Sequence, residues 1–190
     1  MKIINFTGTY LATTKINKKT QKNKFIPHEA SVVQMHPSSK NDILTLKSTT
    51  ESWDENSNIL SFSDIIYEDA KNIHDEEIDT GIHKFYAITN QKRNFTKLLP
   101  DEILALTEIT SFPDSRKVNI DVLEVNPEHN HWSQDRIYKN IGSALLNAIK
   151  EIFEGKEITV RSVPSALNFY KKNGFHQIYQ NSHDLHYIKL

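Results

Sequence analysis

Ile141, Ala144, Leu145, Ala148, Ile149, Ile152 and Phe153 recur three and four residues apart, which lays one apolar face along a helix, and Gly155 follows as its C-terminal stop. A β-branched run at 157–160 comes next. With the alternating segment at 117–125 ahead of the helix, this reads as strand, helix, strand with parallel strands. Residues 84–89, 103–110 and 117–125 read as three successive strands. Their short connections, through Pro100-Asp101 and through Ser111-Phe112-Pro113-Asp114-Ser115, make them an antiparallel meander. Further upstream, 31–36 is a strand closed by Pro37. Ser38-Ser39 then offers an N-cap to a helix carrying Ile43, Leu46 and Trp53. Ile59, Phe62, Ile66, Ala70 and Ile73 give a second helix at once. Downstream, Pro164 opens a short helix with Ala166, Phe169 and Tyr170, ended by Asn173-Gly174. Residues 175–179 and 185–190 form a closing hairpin.

The segment 117–125 contains a phase error. Val118, Ile120 and Val122 share one face and Asn119 and Asp121 the other, but Leu123 is apolar directly after Val122, and Val125 follows two later. Either a β-bulge near Val122–Leu123 inserts one residue, or the end of the strand is buried on both faces. A bulge would leave main-chain groups open to a ligand.

Length and composition narrow the class. The 190 residues fit one domain, or one domain with an appendage; 37% are hydrophobic and 25% charged, enough for a folded core. The absence of Cys excludes disulfides, a thiolate nucleophile and Cys-ligated zinc. A net charge of −1 removes the overall electrostatic case for a nucleic-acid partner, and the five glycines fall at no nucleotide-loop spacing. No apolar run approaches a membrane span and no leader pattern follows Met1, so the cytoplasm is the expected compartment. Only four of the 23 basic residues are Arg, and Lys, Asn and Ile are frequent, as in bacterial-like A+T-biased coding.

Charge is unevenly spread. Lys15, Lys18, Lys19, Lys22 and Lys24 stand together without an acid among them, while Asp54-Glu55, Glu68-Asp69 and Asp75-Glu76-Glu77-Asp79 form acidic clusters. The basic group reads as a flexible arm or as an RNA anchor. The acidic stretch reads as a solvated helical face or as a surface for a cationic substrate. Residues 1–27 show no sustained period apart from a short apolar piece at 3–6. They are expected to be a flexible extension, with the folded domain at 28–190.

The chemistry concentrates at the start of the strong helix, Arg136-Ile137-Tyr138-Lys139-Asn140-Ile141-Gly142-Ser143-Ala144-Leu145-Leu146. Asn140 and Gly142 tolerate positive φ or close backbone approach. The first-turn amides are orphan donors that either are simply capped or receive an anion such as phosphate, with Lys139 and Arg136 as nearby cations. This stretch resembles the R/Q-x-x-G-x-G/A pattern of the GNAT superfamily of N-acetyltransferases, with Asn140 where the first Gly is usual and Ile137 where Arg or Gln is usual. Ala166-Leu167-Asn168-Phe169-Tyr170-Lys171-Lys172-Asn173-Gly174-Phe175 is similar to that family's A-x-x-F-Y-x-x-x-G-F motif. The order of elements over about residues 30–190 resembles the family as well.

The resemblance implies a mixed α+β, three-layer fold. Its central, mostly antiparallel sheet has about six to seven strands and is flanked by about four helices. It also implies acetyl-CoA as cosubstrate, an amine acceptor that is a small molecule or a protein, and room for a homodimer. In that scheme the main chain of Leu123 and Val125 holds the acyl carbonyl and pantetheine. The amides of Tyr138, Lys139, Asn140, Ile141, Gly142 and Ser143 cradle the pyrophosphate. Tyr170 protonates the departing thiolate. Asn168 or Ser165 substitutes for an Asn that relatives carry after the preceding strand. A phenol is protonated at neutral pH and suits that donor role, although an aromatic core residue is the alternative for Tyr170. Glu108, Asp121, Glu124 and His131 are candidate bases, none singled out. Glu128-His129-Asn130-His131 lacks a third nearby ligand, so no metal is expected. The expected activity is direct acyl transfer to an amine. The alternative is a degenerate acyl-CoA-binding or protein-interaction module.

Overall fold

The computed structural model describes residues 6–55, 62–76, 82–92, 96–130, 133–180 and 182–188. The chain runs β1 (Thr9–Lys19), β2 (Phe25–Met35), α1 (Lys40–Glu55), α2 (Ser63–Asp75), β3 (His83–Thr89), β4 (Ile103–Thr110), β5 (Lys117–Val125) and β6 (Tyr138–Lys139). It continues with α3 (Ile141–Ile152), β7 (Glu157–Arg161), α4 (Leu167–Lys172), β8 (His176–Gln177) and β9 (Asp184–Tyr187).

Nine strands form one sheet in the order β6-β1-β2-β3-β4-β5-β7-β9-β8. β5 and β7 are parallel, as the intervening helix demands, and the other pairs are antiparallel. The sheet separates two cores. On one side α1 and α2 cover Val33, Met35, Phe85, Ala87 and Leu106 with Leu46, Trp53, Ile66 and Ala70. On the other, Leu145 and Ile149 of α3 and Phe153 at its C-cap meet Val32, Ile88, Ile109, Val118 and Val160, with Tyr170 and Phe175 beside them. The fold is thus three-layered and α+β.

Local signals explain where the helices start and stop. Ser39 Oγ accepts the Asp42 N–H at 3.2 Å, as an N-cap serine does. The buried Asp42 carboxylate in turn accepts from Thr7 N and His36 N, at 3.0 and 2.9 Å, and ties the first residues to the helix start. At the far end of α3 the chain turns through Gly155 at φ +83°, a conformation that costs glycine nothing.

Three expectations are corrected. The segment 1–27 is not a flexible extension over its described part: β1 pairs with β2 from Thr9 to Lys19 and adds β6 at its outer edge. Ile16 is 1% exposed and belongs to the core under α3. A folded domain beginning at 28 would cut through β2. The physical reason is composition: Thr9, Thr13, Thr14, Tyr10 and Ile16 are good strand formers, and a sheet's outermost long strand needs only one fully buried apolar residue. The mixed, mostly antiparallel sheet is the one expected, and among the described residues it has nine strands where about six to seven were expected, two of them only two residues long. Of the short strand expected at 3–6, residues 1–5 lie outside the described residues, and Phe6 is buried without being in a strand.

The bulge exists, but earlier than the phase error suggested. Glu108 opposes Val122 while Ile109 opposes Ile120, so Asp121 is the extra residue. The apolar register betrays a bulge only after it has happened, which places the visible jump one step late.

Candidate functional site

β5 and β7 pair from Lys117/Glu157 to Ile120/Val160 and then separate, although both strands continue. The bulge at Asp121 sits where they part. Asn126 N donates to Leu104 O at 2.9 Å, which fixes the alternation of the β4–β5 ladder. Val122 and Glu124 therefore turn their main-chain groups toward β4. Leu123 and Val125 turn theirs the other way, into the gap that β7 has left.

That gap opens on the α3 face into a cavity of about 410 Å³. Its walls include Leu123 and Val125 from β5, Lys139, Asn140, Ile141, Gly142 and Ser143 at the start of α3, and Tyr170 from α4. The sequence thus named eight residues that the fold brings to one place. Asn140 lies in the left-handed region at φ 62°, with no side-chain capping bond, and accepts the Ala144 N–H through its carbonyl at 2.9 Å. This geometry turns the chain so that the first-turn amides of α3 face the cavity mouth, where the helix dipole favours an anion. Gly142 is tightly packed: a Cβ there would lie 3.1 Å from Phe169 Cζ and 3.3 Å from Val125 Cγ2, so those side chains would have to shift by a few tenths of an ångström. Arg136 and Lys139 supply positive charge at the rim.

Tyr170 is 6% exposed, stacked edge-on against Phe169 and Phe175, and still reaches the cavity. Its hydroxyl makes no hydrogen bond among the described residues. Burial pushes the phenol up to about 12, so it stays protonated throughout the physiological range.

Two expected residues stand apart. Tyr138 is buried against His129, ring centroids 5.1 Å apart, and does not line the cavity. Asn168 is exposed outside it, whereas Ser165 is on its wall. The structure adds His129, Asn130, Ala166 and Phe169 to the lining. The nearby sequence had marked His129 only as half of a metal pair. Burial holds this imidazole below its ordinary pKa, and its Nδ1 has no hydrogen-bond partner among the described residues. His131 lies outside the described residues.

The candidate bases divide. Glu124 Oε2 accepts the Ser63 N–H at 2.6 Å and so closes the N-terminus of α2. Glu108 and Asp121 come together with His83 on the sheet face opposite the cavity, their nitrogen and oxygen atoms within 4.8 Å of one another. Such a set is near enough to share a divalent ion. However, His83 Nδ1 and Glu108 Oε1 already face each other at 2.8 Å, and both Asp121 oxygens accept from Thr110 and Asn119 at 2.7 and 2.6 Å. Glu108 is pushed up to about 7, chiefly by burial and further by Asp69 and Asp121, against the lowering effect of His83. Sequence reasoning missed His83, which stands one residue before the expected strand and carries no motif.

No protein-family model matches the sequence, and no curated protein sequence matches it. Solved structures do. The PaiA N-acetyltransferase of Thermoplasma acidophilum, in complex with coenzyme A, aligns over 83% of this chain and 96% of its own at 17% identity and a TM-score of 0.52. A GNAT-family protein from Desulfovibrio desulfuricans aligns over 83% and 94% at 14% identity and a TM-score of 0.50. AtaT, complexed with acetyl-methionyl-tRNAfMet, aligns over 84% and 94% at 10% identity and a TM-score of 0.52. The fold is that of the GNAT superfamily.

Proposed function

We propose that the protein is an acyl-CoA-dependent N-acyltransferase that moves an acetyl group directly from acetyl-CoA to an amine. The observation that carries the reading is the parting of β5 and β7. It aims the main chain of Leu123 and Val125 into a cavity that also holds the first turn of α3 and the Tyr170 hydroxyl. A thioester arm needs amides along its length and an anion site at its phosphate end, and the outward main chain of β5 and the first turn of α3 support both. The coenzyme A of the PaiA structure and the acetylated aminoacyl group carried by AtaT's tRNA support the same chemistry.

Within this reading each residue has a definite task. The amides of Ile141, Gly142 and Ser143 hold the pyrophosphate, with Lys139 and Arg136 beside it. Leu123 and Val125 hold the pantetheine and polarise the acyl carbonyl. The acceptor nitrogen attacks that carbon from the opposite face of the sheet, the carbon–sulfur bond breaks, and Tyr170 gives its proton to the departing sulfur. Glu108 takes the proton that the nitrogen loses. A carboxyl titrating near neutrality is matched to that work. With no Cys in the chain, transfer does not pass through a cysteine thioester.

The test is ligand-linked stability followed by turnover. Acetyl-CoA at a hundredfold excess over its dissociation constant stabilises the protein by about 2.7 kcal/mol. Free thiol then appears when acetyl-CoA is offered with members of an amine panel. A melting temperature indifferent to millimolar acetyl-CoA and CoA overturns the proposal.

A further inference from the structure

Acyl transfer through the cavity leaves one feature of the opposite face unexplained: why a fully buried carboxylate is paired with a half-exposed imidazole. Glu108, His83 and Asp121 come from β4, β3 and β5 and point to the α2 side. Glu108 is 1% exposed, with Oε1 2.8 Å from His83 Nδ1 and Oε2 without a hydrogen-bond partner among the described residues. The charged groups that face it are His83 on β3, Asp69 on α2 and Asp121 on β5. An unpaired buried oxygen weakens a fold and persists where it is used. Its position in the ladder suits use, because Glu108 opposes Val122, next to Leu123, at the bulge where β5 leaves β7.

A base enclosed this deeply needs an outlet for each proton it accepts. His83 spans the distance, its Nδ1 on Glu108 and 41% of its side chain in solvent. We infer that His83 is a positioning residue acting through Glu108: it holds the carboxylate with Oε2 open toward the bulge and conducts the acceptor amine's proton to bulk water. Glu108 takes one proton from the acceptor nitrogen; His83, converted to its Nε2–H tautomer by proton exchange with water, accepts that proton at Nδ1 and loses the Nε2 proton to water, which restores Nδ1–H facing the carboxylate. Both side chains end in the charge state in which they began. This inference rests on the acyltransfer reading.

The experiment compares the full-length wild type with His83→Ala and His83→Gln. It measures acetyl-CoA affinity by calorimetry, and CoA release from acetyl-CoA across pH with the amine panel and with water as acceptor. His83→Ala is expected to bind acetyl-CoA normally and to release CoA at least tenfold more slowly. The acid limb of its kcat/KM profile moves to higher pH, because the imidazole favours the ionised form of Glu108. Millimolar imidazole restores part of its rate. His83→Gln, which keeps the bulk and a hydrogen-bond donor, stays slow at all pH values and carries the test if the alanine variant does not fold. A variant that binds acetyl-CoA normally with rate and acid limb unchanged, or one changed only in the KM for the amine, overturns the relay alone. A wild type that binds acetyl-CoA but releases no CoA above background overturns the relay together with the acyltransfer reading.

Discussion

Phe169 lies on the bare Cα of Gly142, so close that a Cβ would sit 3.1 Å from its Cζ. Helix α4 is thereby seated against the first turn of α3 across the cavity wall. Gly142→Ala gains helix propensity, roughly 0.8–1 kcal/mol, and loses about as much by displacing the ring. The expected outcome is a melting temperature within a few degrees of wild type and an acetyl-CoA affinity reduced several-fold, because Phe169 moves into the cavity. Calorimetry beside a thermal melt separates the two. A larger side chain such as Glu disturbs the same packing, so its effect does not isolate charge.

Ile16 anchors β1 from the sheet's edge into the core beneath α3. Ile16→Ala removes a buried branched side chain at a cost of about 2–5 kcal/mol. Deleting residues 1–24 removes the whole strand along with the partner of β6, which directly precedes the first turn of α3. Urea denaturation is expected to show a lowered midpoint for the substitution. The deletion should lose cooperative unfolding and acetyl-CoA binding together.

The contrast between these two places shows what the sequence makes legible. Around α3 the periodicity is strong, because a helix packed on a sheet repeats its apolar face, and two motifs fix where the cavity lies. Strand β1 shows no clean alternation: Leu11, Ala12 and Ile16 pack on the core across a register shift between Tyr10 and Ala12, and its Lys residues look like a disordered arm. The place of Asp121 at the bulge and that of His83 beside Glu108 were hidden for another reason. A bulge and a cross-strand pair are properties of register, and no local signal in the sequence states which residue of β3 stands beside Glu108.

Glu108 also links function to stability. Its folded pKa, about 7, lies above the ordinary carboxylate value of 4.5. Between those values the folded state holds more protons than the unfolded state, so stability is present below pH 4.5 and declines as pH rises toward 7. Glu108→Gln keeps an acceptor for His83 and removes the buried charge. It is expected to flatten the stability profile over that window and to raise stability at pH 8 by on the order of 3 kcal/mol, at 1.36 kcal/mol per pKa unit. Turnover should fall at the same time. Melting temperatures from pH 4 to 8 check the sign, and a variant less stable than wild type at pH 8 contradicts it.

Tyr170→Phe isolates the hydroxyl. The ring keeps its edge contacts with Phe169 and Phe175, whose centroids lie 5.1 and 5.5 Å away, so the packing of α4 survives. The hydroxyl has no hydrogen-bond partner among the described residues, so its removal strands no buried group, and the melting temperature should stay within a few degrees. Acetyl-CoA affinity should also hold, since the proposed binding rests on main-chain groups of Leu123 and Val125 and on the start of α3. On the proposed reading, what disappears is the proton donor for the departing sulfur. General acid catalysis is worth ~10²–10⁴-fold, and kcat is expected to fall by that order, less if water reaches the sulfur. Because burial holds the phenol up to about 12, its ionisation should not shape the rate below pH 10, and the pH profile of the variant should keep the acid limb proposed for Glu108. Thiol release measured alongside CoA titration distinguishes the outcomes. A fall in kcat at unchanged affinity fits the donor role, whereas equal turnover in the two proteins makes Tyr170 a packing residue.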